Sequence, residues 1–449
     1  MKVVIVGGVA GGATAAARIR RLNEEAEVVV FERSGYISYA NCGLPYYIGD
    51  VITDSEELTL QTPESFFSRF HVDMKVRHEV LSIHPERKTV SVRNLETGEE
   101  FEEHYDKLLL SPGARPVQPE IPGVGLENLF TLRTVEDTMR IKAYIETHQP
   151  KSVVLAGGGF IGLELAENLR ESGMDVTIVQ RAKQLMNPFD PDMASFIHSE
   201  MRRHGVTLAL GHTVEGFVEK EGGIDVLLKG EDPIHADMGI LAIGVAPDAK
   251  LAGEAGIKLG IKGSIVVNER METSIPDIYA VGDAVQIKNA VSGEEDLISL
   301  AGPANKQGRI AADNICGGNS SYSGAQGSSV IKVFDMTAAT TGLNEKRAKK
   351  LGIDTDKVIL SPMSHAGYYP GGKVMTMKVL FEKETNRLLG AQVVGYEGVD
   401  KRIDVLATAI HAGMKATDLK ELDLAYAPPY SSAKDPVNMA GYMIENIGK

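Results

Sequence analysis

The chain carries the same strand, glycine loop, helix and strand pattern twice, and that repetition limits its fold more than any other feature. Val3–Val6 is a run of β-favouring residues, Gly7-Gly8-Val9-Ala10-Gly11-Gly12 a loop of small residues, Ala13–Leu22 a helix, and Glu27–Phe31 a second strand that ends at Glu32. Val9 replaces the middle glycine of a G-x-G-x-x-G fingerprint, while Gly8 and Gly11 keep the loop small. Ser152–Ala156 repeats the strand, and Gly157-Gly158-Gly159-Phe160-Ile161-Gly162 completes the fingerprint. A predicted helix over Leu163–Ser172 then leads to strand Val176–Val179 and Gln180. Glycines at these positions let backbone approach a pyrophosphate at a helix N-terminus, and the residue closing the second strand reaches ribose hydroxyls. Glu32 suits that last task. Gln180 is neutral and precedes Arg181 and Lys183, so it does not repel a 2′-phosphate. Two such units predict two dinucleotides held at once; the alternative is a duplicated domain with one inactive copy.

Other segments extend the pattern. Tyr105–Pro116 reads as a strand into a turn at Gly113, and Met238–Pro247 as a strand into a turn at Gly244. Thr273–Asp283 reads as a strand ending in Gly282-Asp283, where a carboxylate could meet a sugar hydroxyl. After about residue 325 the glycine loops stop: Ser329–Phe334, Val374–Phe381 and Leu388–Val394 alternate as strands, and Lys401–Ala412 is an amphipathic helix. The expected fold class is α/β, with two Rossmann-like dinucleotide-binding domains followed by a C-terminal α+β domain. The boundaries expected are 1–115 with 250–324 for the first, 116–249 for the second and 325–449 for the third.

A net charge of −14 gives no electrostatic footprint for nucleic acid. No apolar run approaches the ~20 residues of a membrane helix. Lys2 and the following small apolar residues mimic a secretory signal, but Arg18, Arg20 and Arg21 do not belong in one, so a cytoplasmic protein is expected. The two cysteines, Cys42 and Cys316, cannot build a metal cage, and His365 has no second ligand at metal spacing, so no metal is expected. A loop histidine packed beside Tyr368 is the better reading of His365.

Cys42 stands in Ser38-Tyr-Ala-Asn41-Cys42-Gly43-Leu-Pro45. Asn41 and Ser38 are possible helix caps, Pro45 suits an early helical position, and Gly43 leaves room for an approaching group. A thiol at a helix start beside basic groups has a lowered pKa, which predicts a reactive thiolate rather than a small buried hydrophobe. Cys316, in Asn-Ile-Cys-Gly-Gly-Asn, reads as structural, in a loop without such neighbours.

With two nucleotide units, a T-x5-Y-A-x-G-D segment and a third α+β block, the chain resembles the flavin-dependent pyridine nucleotide–disulfide oxidoreductases across essentially its whole length. The resemblance implies a glutathione-reductase-like arrangement, FAD in the first unit, NAD(P)H in the second and a homodimer formed by the last block. Members with a C-x4-C pair use a dithiol. Cys42 alone places this chain with the single-cysteine branch of NADH peroxidases, NADH oxidases, coenzyme A disulfide reductases and CoA persulfide reductases. The peroxidase-type loop carries a histidine where Ala10 stands here. Gly7 to Leu22 instead resembles the coenzyme A disulfide reductase loop, whose polar and arginine contacts to CoA fall on Thr14, Arg18 and Arg21. His365–Gly371 and Tyr426–Asn438 resemble segments carrying two active-site tyrosines, here Tyr368 and Tyr426, and a CoA-contacting lysine, here Lys434.

Cofactor contacts implied beyond the two glycine loops are Glu32, Arg33, Asn41, Gly113, Gly282, Asp283 and Ala301, with Glu164, Gln180, Arg181 and Gly244. Ser38 and Asn41 join the substrate side. A lysine and a histidine that contact CoA in some members fall on Phe70 and Asn305. Persulfide reductases often carry a further rhodanese domain after the position of Lys449. The implied activity is NAD(P)H-dependent reduction of CoA disulfide, CoA persulfide or polysulfide, Cys42 cycling through a mixed disulfide with CoA and a tyrosine phenol donating a proton. The rivals are an NADH oxidase working through a cysteine sulfenic acid, a reductase serving a ferredoxin-like partner, and a non-catalytic flavin-binding dimer.

Overall fold

The computed structural model describes residues 1–447, so the final two residues of the expected 325–449 block lie outside it. Strand Lys2–Val6 pairs in parallel with Glu27–Glu32 on one side and Lys107–Leu110 on the other, and Asp73–Val76 and Ile278–Ala280 form the edges of the sheet. A second five-stranded parallel sheet runs Leu129–Thr131, Met238–Leu241, Ser152–Ala156, Asp175–Gln180 and Thr207–Leu210. Each sheet is covered on both faces, as parallel sheets require, so Val3, Val4 and Ile5 have no exposed surface. Strand Ile278–Ala280 carries the Gly282-Asp283 turn to the first glycine loop from far along the chain.

In chain order the helices are α1 (Ala10–Leu22), α2 (Leu44–Ile48), α3 (Pro63–Phe70), α4 (Val135–His148), α5 (Phe160–Glu171) and α6 (Pro191–Arg203). They continue with α7 (Lys250–Glu254), α8 (Ala301–Ile315), α9 (Glu345–Lys350), α10 (Val399–His411) and α11 (Pro436–Ile447). Helices α1 and α5 both begin three residues before the starts expected from sequence, and for one reason. A Cβ on Gly12 would lie 1.9 Å from the Gly7 carbonyl oxygen, and one on Gly162 2.1 Å from that of Gly157. The last glycine of each fingerprint is therefore inside the first helical turn, pressed against the end of its strand. None of the described helices is long and apolar enough to cross a membrane.

The C-terminal sheet is antiparallel, in the order Ser329–Val333, Met336–Gly342, Leu388–Gly395, Met375–Glu382 and Thr355–Leu360. Its two strands Met375–Glu382 and Leu388–Gly395, expected to alternate, are buried on both faces. One face packs with α10 and α11 residues such as Leu406 and Val437; residues of the other, including Val394, share a core with Ile197 and Met201 of α6.

The third block is also fastened to α6 by charge. Lys378, 1% exposed, places its ammonium 3.0 Å from Asp190 and 2.9 Å from Asp192, and against Glu345. Asp190 is satisfied further by Gln392, whose amide donates to it at 2.7 Å and accepts its N–H at 2.8 Å. The three carboxylates converge as metal ligands do, but the lysine occupies their centre. Glu200, His204 and Asp335 converge too, and there Arg203 bonds Glu200 at 2.7 Å and lies 3.6 Å from Asp335.

Lys378→Met leaves three facing carboxylates without their cation and should cost about 3–5 kcal/mol in urea unfolding. A loss under about 1 kcal/mol would show the cluster to be dispensable. Burial raises the pKa of Asp192 and Glu345, but the hydrogen bonds and charges of Lys378, with Lys357 at Glu345, hold both below the usual carboxylate range. Their stabilisation is therefore complete at neutral pH and is lost as pH falls below ~4. The variant's stability deficit should shrink in acid.

Candidate active site

Gly7 adopts φ +97°, and a Cβ there would meet the Ser111 carbonyl oxygen at 2.1 Å. The Gly8 N–H donates to one oxygen of Glu32 at 2.8 Å and the Ser34 N–H to the other at 2.9 Å, which orients the carboxylate while leaving it lone pairs for ribose hydroxyls. Val9 is the N-cap of α1 and offers no capping side chain, so the first-turn N–H groups of Ala10 to Gly12 remain for an anion. Gly11 is enclosed by Ser111 and Val281, and Gly282 N–H donates to Gln307 at 2.7 Å. A loop without Cβ atoms, an uncapped helix start and an oriented acid fit a dinucleotide such as FAD.

Arg133, which no sequence motif singled out, organises the far end of this cradle. It lies 3.2 Å from Asp283, donates to the Ala114 carbonyl at 3.0 Å, and exchanges hydrogen bonds with the Asn41 amide. Its guanidinium also lies 3.2 Å from where a Cβ would stand on Gly113, which has φ +72°. Burial raises the pKa of Asp283 and Arg133 opposes it, so this carboxylate is an ion-pair partner as well as a possible ribose contact. Arg33 reaches Asp248 at 2.8 Å, and Ala301 stands exposed at the start of α8.

The second cradle repeats the first with an amide in place of the acid. Gly157 has φ +120°, with the Ala242 carbonyl oxygen 2.2 Å from a would-be Cβ. Gln180 accepts the Gly158 N–H at 3.2 Å, as Glu32 accepts that of Gly8. Gly159 is the N-cap of α5, and nothing crowds it or Gly244 within 4 Å. Arg181 and Lys183 are exposed. A cleft of about 480 Å³ opens beside α5, lined by Tyr46, Glu164, Lys332, Thr337, Tyr396 and Asp400. All three blocks contribute to it.

Cys42 lies in the 3-10 turn Asn41–Gly43, just before α2, and is exposed. The capping expected from sequence is absent. Gly43 is the N-cap of α2, Asn41 spends its amide on Arg133, and Ser38 takes φ 46° with its N–H on the Gly8 carbonyl at 2.9 Å. The expected lowering of the thiol pKa is also reversed. Protein packed about the thiol raises it, the Glu164 charge adds to this, and Arg133, already shared with Asp283, only partly opposes. A five-residue helix supplies too little dipole to win. Glu164 is itself pushed up to about 7 by burial, against the hydrogen bond that Tyr46 donates at 3.5 Å; Tyr46 is raised to about 12. A carboxyl that titrates near neutrality can accept or return a proton, and this one acts on Cys42 through its charge.

Tyr368 and Tyr426 share a hydroxyl–hydroxyl hydrogen bond of 2.9 Å on an exposed face, and that bond raises the pKa of Tyr426. His365 packs against Tyr369 with ring centroids 5.6 Å apart, not against Tyr368 as expected, because Ser364 and the Pro370 carbonyl hold its ring inward. Lys434 is exposed. Along α1, Thr14 donates to Asn305 at 2.9 Å, Arg18 to Asp313 at 2.7 Å, and Arg21 lies over Phe70 at 5.5 Å. Cys316 is the C-cap of α8 rather than a loop residue, and Arg18 acts on it after all, opposing the rise caused by burial and Asp313. Among the described residues no hydrogen bond joins the tyrosine pair to Cys42, Tyr46 or Glu164.

Residues 1–308 match the family profile described as pyridine nucleotide-disulphide oxidoreductase, and residues 328–436 match that family's dimerisation domain. The chain belongs to the pyridine nucleotide-disulphide oxidoreductases. As a member it is an enzyme that works with FAD and NAD(P)H. This oxidoreductase is 38% identical over 444 residues to a coenzyme A disulfide reductase of Staphylococcus aureus, covering 98% of this chain and 99% of that one. The crystal structure of reduced Bacillus anthracis CoADR-RHD is 52% identical, with a TM-score of 0.98 over 99% of this chain and 80% of its own. A NAD-dependent persulfide reductase from A. fulgidus is 38% identical, with a TM-score of 0.97 over 100% of this chain and 83% of its own.

For this oxidoreductase, the Glu164 charge is a removable part of what holds the thiol pKa up. Glu164→Gln should lower that pKa and speed alkylation of Cys42 several-fold at pH 8, since attack follows the thiolate fraction. An unchanged pH profile of alkylation would show that burial alone sets the thiol.

Proposed function

We propose that this enzyme reduces disulfides and persulfides of coenzyme A with NAD(P)H, using Cys42 as its one redox thiol. The observation that carries the reading is positional. Cys42, one of two cysteines, directly follows Asn41, which bonds Arg133 at the far end of the first cradle, and feels the charge of Glu164, which lines the three-block cleft; the helix that starts in that cradle carries Thr14, Arg18 and Arg21 along one surface. The named relatives act on the same class of substrate.

On this reading residues 1–115 with 250–324 hold FAD, 116–249 hold NAD(P)H, and 325–449 form a homodimer in the cytoplasm. Glu32, Arg133 and the first glycine loop would hold FAD; the second loop and Gln180 would hold NAD(P)H, with Glu164 beside the nicotinamide end. Gln180 has no charge to repel a 2′-phosphate, and Arg181 and Lys183 stand exposed beside it, so either nucleotide is accommodated. When bound, FAD supplies the passage of two electrons from NAD(P)H to the thiol centre. The resting Cys42–S–S–CoA bond breaks on taking up those electrons, giving the Cys42 thiolate and one CoA thiol. The thiolate then attacks a second CoA disulfide, the mixed disulfide reforms, and CoA thiolate departs and is protonated. Cys42→Ser should keep FAD and keep NAD(P)H-dependent dye reduction, yet lose CoA disulfide turnover. Near wild-type turnover by the serine variant would sink the proposal.

Protonation of the leaving thiolate is assigned to Tyr368 and Tyr426 of the partner subunit's copy of the last block, because their hydrogen-bonded pair is exposed and makes no bond to the thiol of its own chain. Loss of such a donor typically costs about 10²–10⁴-fold. Mixing Cys42→Ser subunits with Tyr368→Phe/Tyr426→Phe subunits gives heterodimers with one doubly defective site and one intact site. Activity should recover towards about half per heterodimer. No recovery after demonstrated subunit exchange would place thiol and phenols in one chain.

A further inference from the structure

The two loops that carry Tyr368 and Tyr426 close on one buried guanidinium. Arg402, in the first turn of α10, is 1% exposed, and its Nη1 donates to the Gly398 carbonyl at 3.1 Å, which fixes the side chain against its own helix start. Nη2 shares its N–H groups among four oxygens. They are the Ser364 carbonyl at 3.1 Å, the Tyr430 carbonyl at 3.2 Å, Ser431 Oγ at 3.1 Å and an Asp435 carboxylate oxygen at 3.0 Å. Ser431 donates its own hydroxyl to that carboxylate at 2.7 Å, and Ser364, Ser431 and Asp435 are all buried. The loops also meet directly, the Ala366 N–H donating to the Ser431 carbonyl at 3.0 Å. Lys401, beside Arg402 on the same helix, donates to the carbonyl of Ala425, the residue before Tyr426, at 3.2 Å. At the loop tips the order reverses. Tyr368 and Tyr426 are 76% and 46% exposed, and among the described residues each phenol hydrogen-bonds only to the other. The place of the pair is therefore set at the buried bases of the loops.

A buried ion pair adds little net stability, because desolvation offsets its attraction. Arg402 Nε, which is buried and makes no hydrogen bond among the described residues, adds a further cost. What a guanidinium fork supplies is geometry: it fixes several acceptors in one plane, which the point charge of a lysine does not. We infer that Arg402 is a positioning residue for the tyrosine pair, holding the loops over 364–371 and 426–435 at the spacing that brings the two phenols together. The inference rests on the proton-donor reading above and adds to it the group that aligns the donor. The turn carrying Lys434 is closed separately, by Ser432 donating to the Lys434 carbonyl at 2.6 Å, so the effect falls on the chemical step and not on binding.

The test uses the FAD-loaded enzyme with CoA disulfide. Arg402→Lys keeps a charge opposite Asp435 but cannot span both loops. It should retain FAD and NAD(P)H-dependent dye reduction, and lose about 10–100-fold in kcat for CoA disulfide at similar KM. The deciding readout is the same substitution in the Tyr368→Phe/Tyr426→Phe enzyme. There it should cost less than about twofold, because no donor is left to misplace. Wild-type kcat in Arg402→Lys, or an equal fold-loss in both backgrounds, would overturn the positioning role while leaving the phenols standing as donors. Wild-type kcat in the Tyr368→Phe/Tyr426→Phe enzyme would overturn the proton-donor reading and the inference with it. Where Arg402→Lys fails to assemble, Ser431→Ala removes one acceptor of the fork and leaves Arg402 and Asp435 in place. It should show a smaller loss of the same non-additive kind; no loss, or an additive one, would overturn the inference.

Discussion

The closeness of backbone to backbone at the two glycine fingerprints governs the rest of the molecule. At Gly7 and Gly12, and again at Gly157 and Gly162, a single added carbon would sit about 2 Å from a carbonyl oxygen. Each helix is thereby drawn down onto the end of its strand, and its first N–H groups face outward at the carboxyl edge of a parallel sheet, where open α/β folds bind ligands. The same closeness passes along the chain. Gly308 of α8 would place a Cβ 2.4 Å from the Gly11 carbonyl oxygen, so α8 is pressed on α1 as tightly as α1 is on its strand. That second contact brings Asn305 to Thr14 and Asp313 to Arg18. A constraint meant for a pyrophosphate thus also sets the surface proposed for the substrate.

Between the blocks, one buried and one half-buried cation do the joining. Lys378 gathers carboxylates from α6 and α9 at the third block, and Arg133 ties the Cys42 segment to Asp283 across the first. Lys378 is itself shut off from water and Arg133 only partly so, and each is held because its partners are complete. The arrangement keeps three separately folded layers in fixed relation, which a cleft built from all three requires. It also explains why Cys42 gains little from Arg133: the guanidinium is already engaged with Asp283 and Asn41.

Features set by neighbours in sequence were legible there. Both βαβ units, Glu32 and the uncapped helix starts follow from local sterics, and the structure changes only where the helices begin. Features set across the chain were not. Arg133 precedes a readable helix start, the capping box of Thr134 and Asp137, but its partner Asp283 is 150 residues away. The direction of the Cys42 pKa is the reverse of the sequence expectation because burial raises it and Glu164, from the second unit, adds to the rise. The strands within 375–395 read from sequence as half-exposed because the covering of their second face by α6 cannot be read from alternation. The tyrosine pair is invisible to spacing, since Tyr368 and Tyr426 are 58 residues apart and only resemblance linked them.

A raised thiol pKa is at first sight wrong for a nucleophile, yet it suits a thiol that never has to ionise by itself. In a cycle through a mixed disulfide the Cys42 thiolate is made by reductive cleavage of a bond and not by loss of a proton. The usual penalty of a high pKa, a small thiolate fraction, applies only if the thiolate is protonated before it attacks. Intrinsic nucleophilicity meanwhile rises with pKa, with a Brønsted coefficient of about 0.4–0.5. On the proposed cycle, burial and Glu164 would therefore make the Cys42 thiolate a stronger nucleophile in the interval that counts. The same basicity would disfavour Cys42 as the leaving sulfur in each exchange of that cycle. Glu164, poised at about 7, adds a charge that switches on and off near neutrality, so in the proposed cycle the basicity of the thiol would vary across that range.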